Sequence, residues 1–461
     1  MNRVPANSSS WKKPAKVASS SSRRIAVVGG GWAGCAAAVE LAGSGHEVML
    51  FEASRTLGGR ARGVEFDGKP LDNGQHILLG AYSETLRLMH AVGIDPSAAL
   101  LRLPLQMRYP DTTSGMRFIT HRLPAPLHLL SGLLLAEGLT LDDKLSLARF
   151  STTARWMGWQ LNQDCTVAEL LERFDQTDRL IKLMWRPLCI AALNTPPERA
   201  SAKVFLAVLR DSLGARRAAS DMLIPRVDLS ALFPSRAAQY IDRRGGKVRL
   251  GTAVRKIDQQ DKAWKIDAGA EEPPFEADGV IIAVQPDKAA TLLSGLIDTS
   301  RLAGLQYEPI TTCYLQYDTT VRLPTPFYAL VDSSDINEWG QFVFDRGHLD
   351  PRQAGLLSVV VSASADAIEN GQGFLTAAIA AQLARVLKRP DLTKPSWSKV
   401  ISEKRATFSC MPALQRPPIR TGLPGLALAG DYVEGEYPAT LESAIRSGVQ
   451  AARSVVDPHS D

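Results

Sequence analysis

The feature that most constrains this chain is a short apolar run ending in three spaced glycines. Ile25, Ala26, Val27 and Val28 lead into Gly29, Gly31 and Gly34, and Ala36, Ala37, Ala38 and Leu41 follow. The run predicts a buried parallel strand, because a strand covered on both faces needs no polar alternation. Gly29 permits a tight turn, Gly31 lets backbone approach a pyrophosphate, and Gly34 lets the next helix pack close to the strand. That helix, begun by Trp32 and Ala33, directs its N-terminal N–H groups and its dipole at phosphate. Val48, Met49, Leu50 and Phe51 read as a second strand with Glu52 at its tip. A carboxylate there accepts bonds from ribose hydroxyls and argues against a 2′-phosphate. The pattern predicts a dinucleotide site, and alone it does not separate NAD from FAD.

The next glycines do. Leu57-Gly58-Gly59-Arg60 resembles the second glycine pair of the FAD-dependent amine oxidase and phytoene desaturase superfamily. The resemblance implies that the backbone of Gly58 and Gly59 approaches the cofactor and that Arg60 lies beside the pyrophosphate. Residues 246–254 look like the strand that contacts adenine, which implies Val254. Residues 278–286 look like the strand and turn that follow. Leu428-Ala429-Gly430-Asp431 resembles the closing motif, which implies that Asp431 reaches the ribityl or phosphate region. The helix beginning near Thr440 and Leu441 would turn N–H groups toward the pyrimidine edge of the ring, and such a positive end stabilises charge on reduced flavin. The implied cofactor is FAD, held non-covalently. Cys410 precedes the closing motif, but its surroundings do not match those of relatives that attach flavin through a cysteine.

Charge and cysteine usage exclude other classes. The chain has 461 residues and a net charge of +5. Residues 1–24 hold Arg3, Lys12, Lys13, Lys16, Arg23 and Arg24 and no acid, which leaves 47 basic against 48 acidic residues elsewhere. A body near neutrality has no electrostatic footprint for nucleic acid. The Ser-rich segment 1–22 has no apolar core of a secretory signal and reads as a disordered basic tail. Cys35, Cys165, Cys189, Cys313 and Cys410 are scattered and odd in number. That usage fits a reducing, cytoplasmic compartment and predicts no metal site.

The expected architecture is α/β. A Rossmann-like FAD-binding domain would comprise residues 23–105, 225–300 and 405–455. A discontinuous substrate domain of helices and a mixed or antiparallel sheet would comprise 106–224 and 301–404. In it, residues 141–161, 167–174, 179–192 and 201–213 read as helices, and 312–317, 342–344 and 356–361 as strands. Residues 126–139 are rich in leucine but too short to span a bilayer, which needs about 20 apolar residues. They form either a buried helix or one that dips into a leaflet at the inner face of the cytoplasmic membrane.

Two further segments narrow the family. Asp72-Asn73-Gly74-Gln75-His76 follows the second glycine pair, and Trp185-Arg186-Pro187-Leu188-Cys189 leads to Asn194 in the helical insert. With Leu209-Arg210-Asp211 and Pro225-Arg226-Val227-Asp228, these resemble the squalene-associated FAD-dependent desaturases, the hydroxysqualene dehydroxylases, over residues 24–455. The resemblance implies reduction of a C30 isoprenoid, with hydride from reduced flavin and acid-assisted loss of water. It also implies an upstream hydroxysqualene synthase and an electron donor. Gly74, Gln75 and His76 would approach the flavin ring, His76, Asp72 and Glu436 are candidate acids, and Trp185, Arg186 and Asn194 would line the substrate cavity. Glu434 and Tyr437 are further donors near the closing motif. The same fold also accommodates a carotenoid-type desaturase or amine oxidase working oxidatively, and a non-enzymatic isoprenoid carrier.

Overall fold

The computed structural model describes residues 22–113, 115–261, 263–269 and 273–457. The basic segment 1–22 lies, but for its last residue, outside the described residues. At the centre is a five-stranded parallel sheet in the order Lys247–Arg249, Glu47–Phe51, Arg24–Val28, Gly279–Ile282, Leu426–Leu428. Its inner strands are apolar at successive positions because both faces are covered. Ile25, Val27, Val48, Leu50 and Ile281 point to one side, against the helices Trp32–Gly43 and Leu441–Val456. Ala26, Val28, Phe51, Val280 and Ile282 point to the other, against a three-stranded antiparallel sheet carrying Ile257, Trp264 and Ile266.

The two helices touch backbone to backbone. A Cβ on Gly448 would collide with the carbonyl of Ala33, so the last helix can lie on the first only because this position has no side chain. The same closeness joins the first helix to its strand. A Cβ on Gly34 would strike the Gly29 carbonyl, and Gly29 itself has φ +108°.

A second five-stranded sheet, antiparallel, runs Phe327–Ala329, Phe342–Asp345, Leu356–Ser362, Tyr307–Gln316, Trp397–Phe408. The helix Gln372–Val386 covers one face through Leu375, Ile379 and Leu383 on Cys313, Leu315, Val343, Leu357 and Val359. The opposite face carries Tyr314 and Ser358, which are paired in register, and it looks onto the turn at residues 72–76.

The helical insert holds Leu141–Trp156, Val167–Arg173 and Ala202–Ser212. The single helix expected over 179–192 is instead three pieces, Asp178–Leu180, a π-turn Ile181–Trp185 and Arg186–Leu193. Pro187, at the start of the last piece, has no N–H for the helix ladder, which explains why the winding changes just before it. Two expected boundaries fall inside strands. Met222–Pro225 crosses 224/225, and Trp397–Phe408 crosses 404/405. The long strand follows its partner Tyr307–Gln316 rather than any break in composition.

Gly448→Val should destabilise the fold by about 1–3 kcal/mol, the usual effect of forcing extra carbons into a packed contact. A lower urea midpoint with an unchanged m-value checks it.

Candidate functional site

The two glycine motifs are in contact. Gly58 N donates to Gly30 O at 2.8 Å, Gly31 and Gly58 form a parallel bridge, and a Cβ on Gly59 would lie 3.2 Å from Gly31 Cα. Glu52 closes this floor, its carboxylate accepting from Gly30 N at 2.6 Å and Ser54 N at 2.8 Å. Trp32 acts through its side chain in the core. Its ring packs on Phe233 and its Nε1 donates to Ala61 O at 2.8 Å, which pins the second glycine segment. Ala33 is buried with it. The helix Trp32–Gly43 has no side-chain cap at Gly31.

Arg60 ties the distant motifs together. Its guanidinium lies 2.5 Å from Asp431 Oδ1 and donates to Ala406 O at 2.7 Å. Burial works against the charge of Arg60, but Asp431, Glu403 and Tyr307 hold its pKa above the ordinary value. Gly430 N donates to Ser447 Oγ at 2.9 Å, so the closing motif is anchored on the last helix. Thr440 caps that helix, accepting from Ser443 N at 3.1 Å, and Leu441 is its first residue.

These residues fit a dinucleotide on three observations. A Cβ on Gly31 would project into open space at an uncapped helix N-terminus, which is the cradle a phosphate needs. Tyr432 OH, beside the Arg60–Asp431 pair, is buried with no partner among the described residues. So is Thr312 Oγ1, which lies 3.9 Å from where a Gly74 Cβ would stand. Val254 corrects the expected strand. The strand stops at Arg249 and the chain turns, with Thr252 N donating to Glu52 O at 2.8 Å. Val254 follows in irregular backbone, half-buried on the core.

The turn at 72–76 is held by a buried cation that sequence reasoning missed. Arg346, only 4% exposed, donates to Gln75 Oε1 at 2.8 Å and to Gln353 Oε1 at 2.7 Å, and lies 3.7 Å from Asp72 Oδ2. Ser358 Oγ also donates to Gln75 Oε1, at 3.2 Å. Asp72 accepts from Leu229 N at 2.8 Å, and its carbonyl accepts from Tyr314 OH at 2.9 Å. Burial pushes the Asp72 carboxyl up to about 6, with Asp228 adding to the rise and Arg346 and the Leu229 N–H opposing it. His76 behaves differently. Burial holds its pKa below the ordinary histidine value, and Nδ1 lies 2.8 Å from Gly74 O. With Nδ1–H given to that carbonyl, the neutral ring presents Nε2 as an acceptor. The geometry therefore counts against His76 as the acid.

Other expected residues do not join this turn. Trp185 is packed at 4.5 Å centroid distance on Phe150 and at 6.2 Å on Phe205, its Nε1 donating to Gln176 Oε1 at 2.8 Å. Asn194 is the left-handed end of the helix Arg186–Leu193. Its side chain donates to Thr407 Oγ1 at 2.9 Å and accepts from Ala363 N at 2.8 Å, which staples the insert to the antiparallel sheet. Arg186 pairs with Asp332 at 3.3 Å and Glu198 at 3.8 Å. Glu436 is exposed and pairs with Arg210 at 2.8 Å, while Tyr437 bonds Asp211. A cleft of about 440 Å³ opens between the insert and residues 408–416, lined by Asp164, Ser201, Phe408, Cys410 and Arg416. The Cys410 thiol is buried and pushed up to about 12, so it stays protonated.

Residues 32–456 match the flavin containing amine oxidoreductase family. The chain is 29% identical to hydroxysqualene dehydroxylase of Rhodopseudomonas palustris, over 94% of this chain and 99% of that protein. It is 24% identical to 15-cis-phytoene desaturase of Solanum lycopersicum, over 94% of this chain and 78% of that protein. In fold it superposes on cyclohexylamine oxidase of Brevibacterium oxydans with a TM-score of 0.67 at 17% identity, covering 94% and 99% of the two chains.

Arg60→Met strands the Asp431 carboxylate, at less than the about 3–5 kcal/mol of a fully buried pair because the Arg60 side chain is half-buried. Purified variant should carry far less flavin per chain, read from visible absorbance. The folded pKa of Asp72 exceeds its unfolded value, so the folded state binds more protons and Asp72 lowers stability as pH rises from about 4 to about 6. Between about pH 4 and about pH 7, urea unfolding of wild type should lose about 2–3 kcal/mol relative to Asp72→Asn.

Proposed function

The chain belongs to the flavin containing amine oxidoreductase family and is an FAD-dependent oxidoreductase, and from that premise we propose that it reduces hydroxysqualene to squalene. The substrate's C–O bond breaks, the departing oxygen takes a proton and leaves as water, and the carbon takes a hydride. When bound and reduced, FAD supplies that hydride. Hydroxide is a poor leaving group, so its departure needs an acid.

One observation carries this reading. The turn that holds Gly74, Gln75 and His76 contains a buried carboxyl, Asp72, pushed up to about 6. Such a group keeps a proton close to neutral pH, which is the usual device for running acid chemistry there. Of the three candidate acids, His76 has its proton directed to Gly74 O and Glu436 is exposed on Arg210. Arg346 and Ser358 hold Gln75, and Tyr314 holds the Asp72 backbone, so the turn is rigid. The allylic cation left by C–O cleavage is short-lived, and a rigid, water-poor surround favours capture by hydride over capture by water. Likeness to the Rhodopseudomonas palustris dehydroxylase over nearly its full length supports the same reading. An upstream synthase would provide the substrate, and a separate donor would reload the flavin.

The oxidative alternative, hydride removal from a polyene, is favoured by likeness to the tomato phytoene desaturase. One incubation separates the two. Anaerobic holoenzyme, chemically reduced in deuterium oxide and given hydroxysqualene, should yield deuterated squalene and oxidised flavin. Unchanged substrate with flavin still reduced overturns the proposal. So does a more unsaturated product formed from squalene or phytoene by the oxidised enzyme.

A further inference from the structure

The leucine-rich segment is core on one side only. The helix Leu127–Leu134 turns His128, Gly132 and Leu133 inward, where Gly132 packs on Phe118. Its leucines at 127, 130 and 134, spaced to share one face, are exposed, with Leu134 at 63%. Leu135 and Leu123 are exposed beside them. The next helix, Leu141–Trp156, repeats the pattern. Leu141 (72% exposed), Leu145, Arg149 and Trp156 (87% exposed) recur along one outward stripe.

The two helices meet where the first ends and the second begins. Lys144 Nζ donates to Leu134 O at 2.9 Å, joining the end of the first to the start of the second. Together they expose Leu127, Leu130, Leu134, Leu141 and Leu145, and the second stripe runs on past Arg149 to Trp156, about 20 Å from Leu141. Monomeric soluble proteins rarely leave such a contiguous apolar patch exposed.

We infer that this pair of helices seats the protein on one leaflet of an anionic bilayer, with the outward leucines in the acyl boundary and Trp156 at the interface. Its rim supports the choice of lipid. Arg122, Arg149 and Arg155 are exposed around the leucines beside two exposed acids, Asp142 and Glu137, of which Glu137 is paired with Arg117 at 3.3 Å. Apolar surface ringed by cations matches an interfacial helix on anionic headgroups, and tryptophan favours the membrane–water boundary. A second copy of the chain fits less well, because a self-complementary contact would press the Arg149 stripe of one copy near that of the other. Among the described residues no helix is long and apolar enough to cross a membrane, so the contact is confined to one leaflet.

The test uses full-length holoenzyme and vesicles, without substrate, so its outcome is independent of the proposed reaction. Wild type should co-float with phosphatidylcholine vesicles containing phosphatidylglycerol, and more weakly with phosphatidylcholine alone. The double variant Leu134→Glu/Leu141→Glu should partition at least tenfold less while retaining its flavin. Trp156→Ser, at the far end of the second helix, is the independent variant and should also weaken partitioning. The inference is overturned if wild type stays unbound, if both variants float as wild type does, or if the chain is a dimer that the leucine variant splits.

Discussion

One guanidinium holds the molecule's distant parts in register. Arg60 leaves the second glycine motif, pairs with Asp431 at 2.5 Å and donates to the carbonyl of Ala406 at 2.7 Å. Those partners belong to the closing motif and to the long strand of the antiparallel sheet. The pair is largely withdrawn from water, so neither charge is cheap to leave alone. Around it, the glycines bring backbone segments closer than side chains would allow. Gly34 does so against the Gly29 carbonyl, and Gly448 against that of Ala33. The cofactor floor therefore depends on absent Cβ atoms and one buried ion pair together.

The second constraint joins the cofactor floor and the antiparallel sheet. Arg346 arises just after the strand Phe342–Asp345, yet its donors serve Gln75 and its charge faces Asp72. Tyr314 and Ser358, neighbours in register on the same sheet, bond the same turn. A turn of five residues is thus fixed from three points on another part of the chain. Burial strong enough to raise Asp72 to about 6 comes from this enclosure. The same low-polarity surround that disfavours a carboxylate keeps a proton available.

The helical insert divides its labour. Its inner side is an aromatic cluster of Phe150, Trp185 and Phe205, stapled to the antiparallel sheet by Asn194. Its outer side carries the exposed leucines of the helices Leu127–Leu134 and Leu141–Trp156, whose inner sides are buried. Trp185 and Asn194 thus tie the insert to the rest of the chain, while the leucines stay on its surface.

The sequence by itself determined the local elements whose cause is local. Successive apolar residues made the parallel strands, glycine spacing made the turn and the close helix, and Glu52, Arg60 and Asp431 could be placed by position within their motifs. It could not find Arg346, because nothing near that residue announces a partner far earlier in the chain. Nor could it tell that Trp185 packs inward, that burial raises the Asp72 carboxyl while lowering the His76 ring, or that Leu127, Leu130, Leu134 and Leu135 face out while Leu133 does not. The residue types are the same in either case. Burial, register and the direction of a helix face decide between them, and those exist only once distant segments have been brought together.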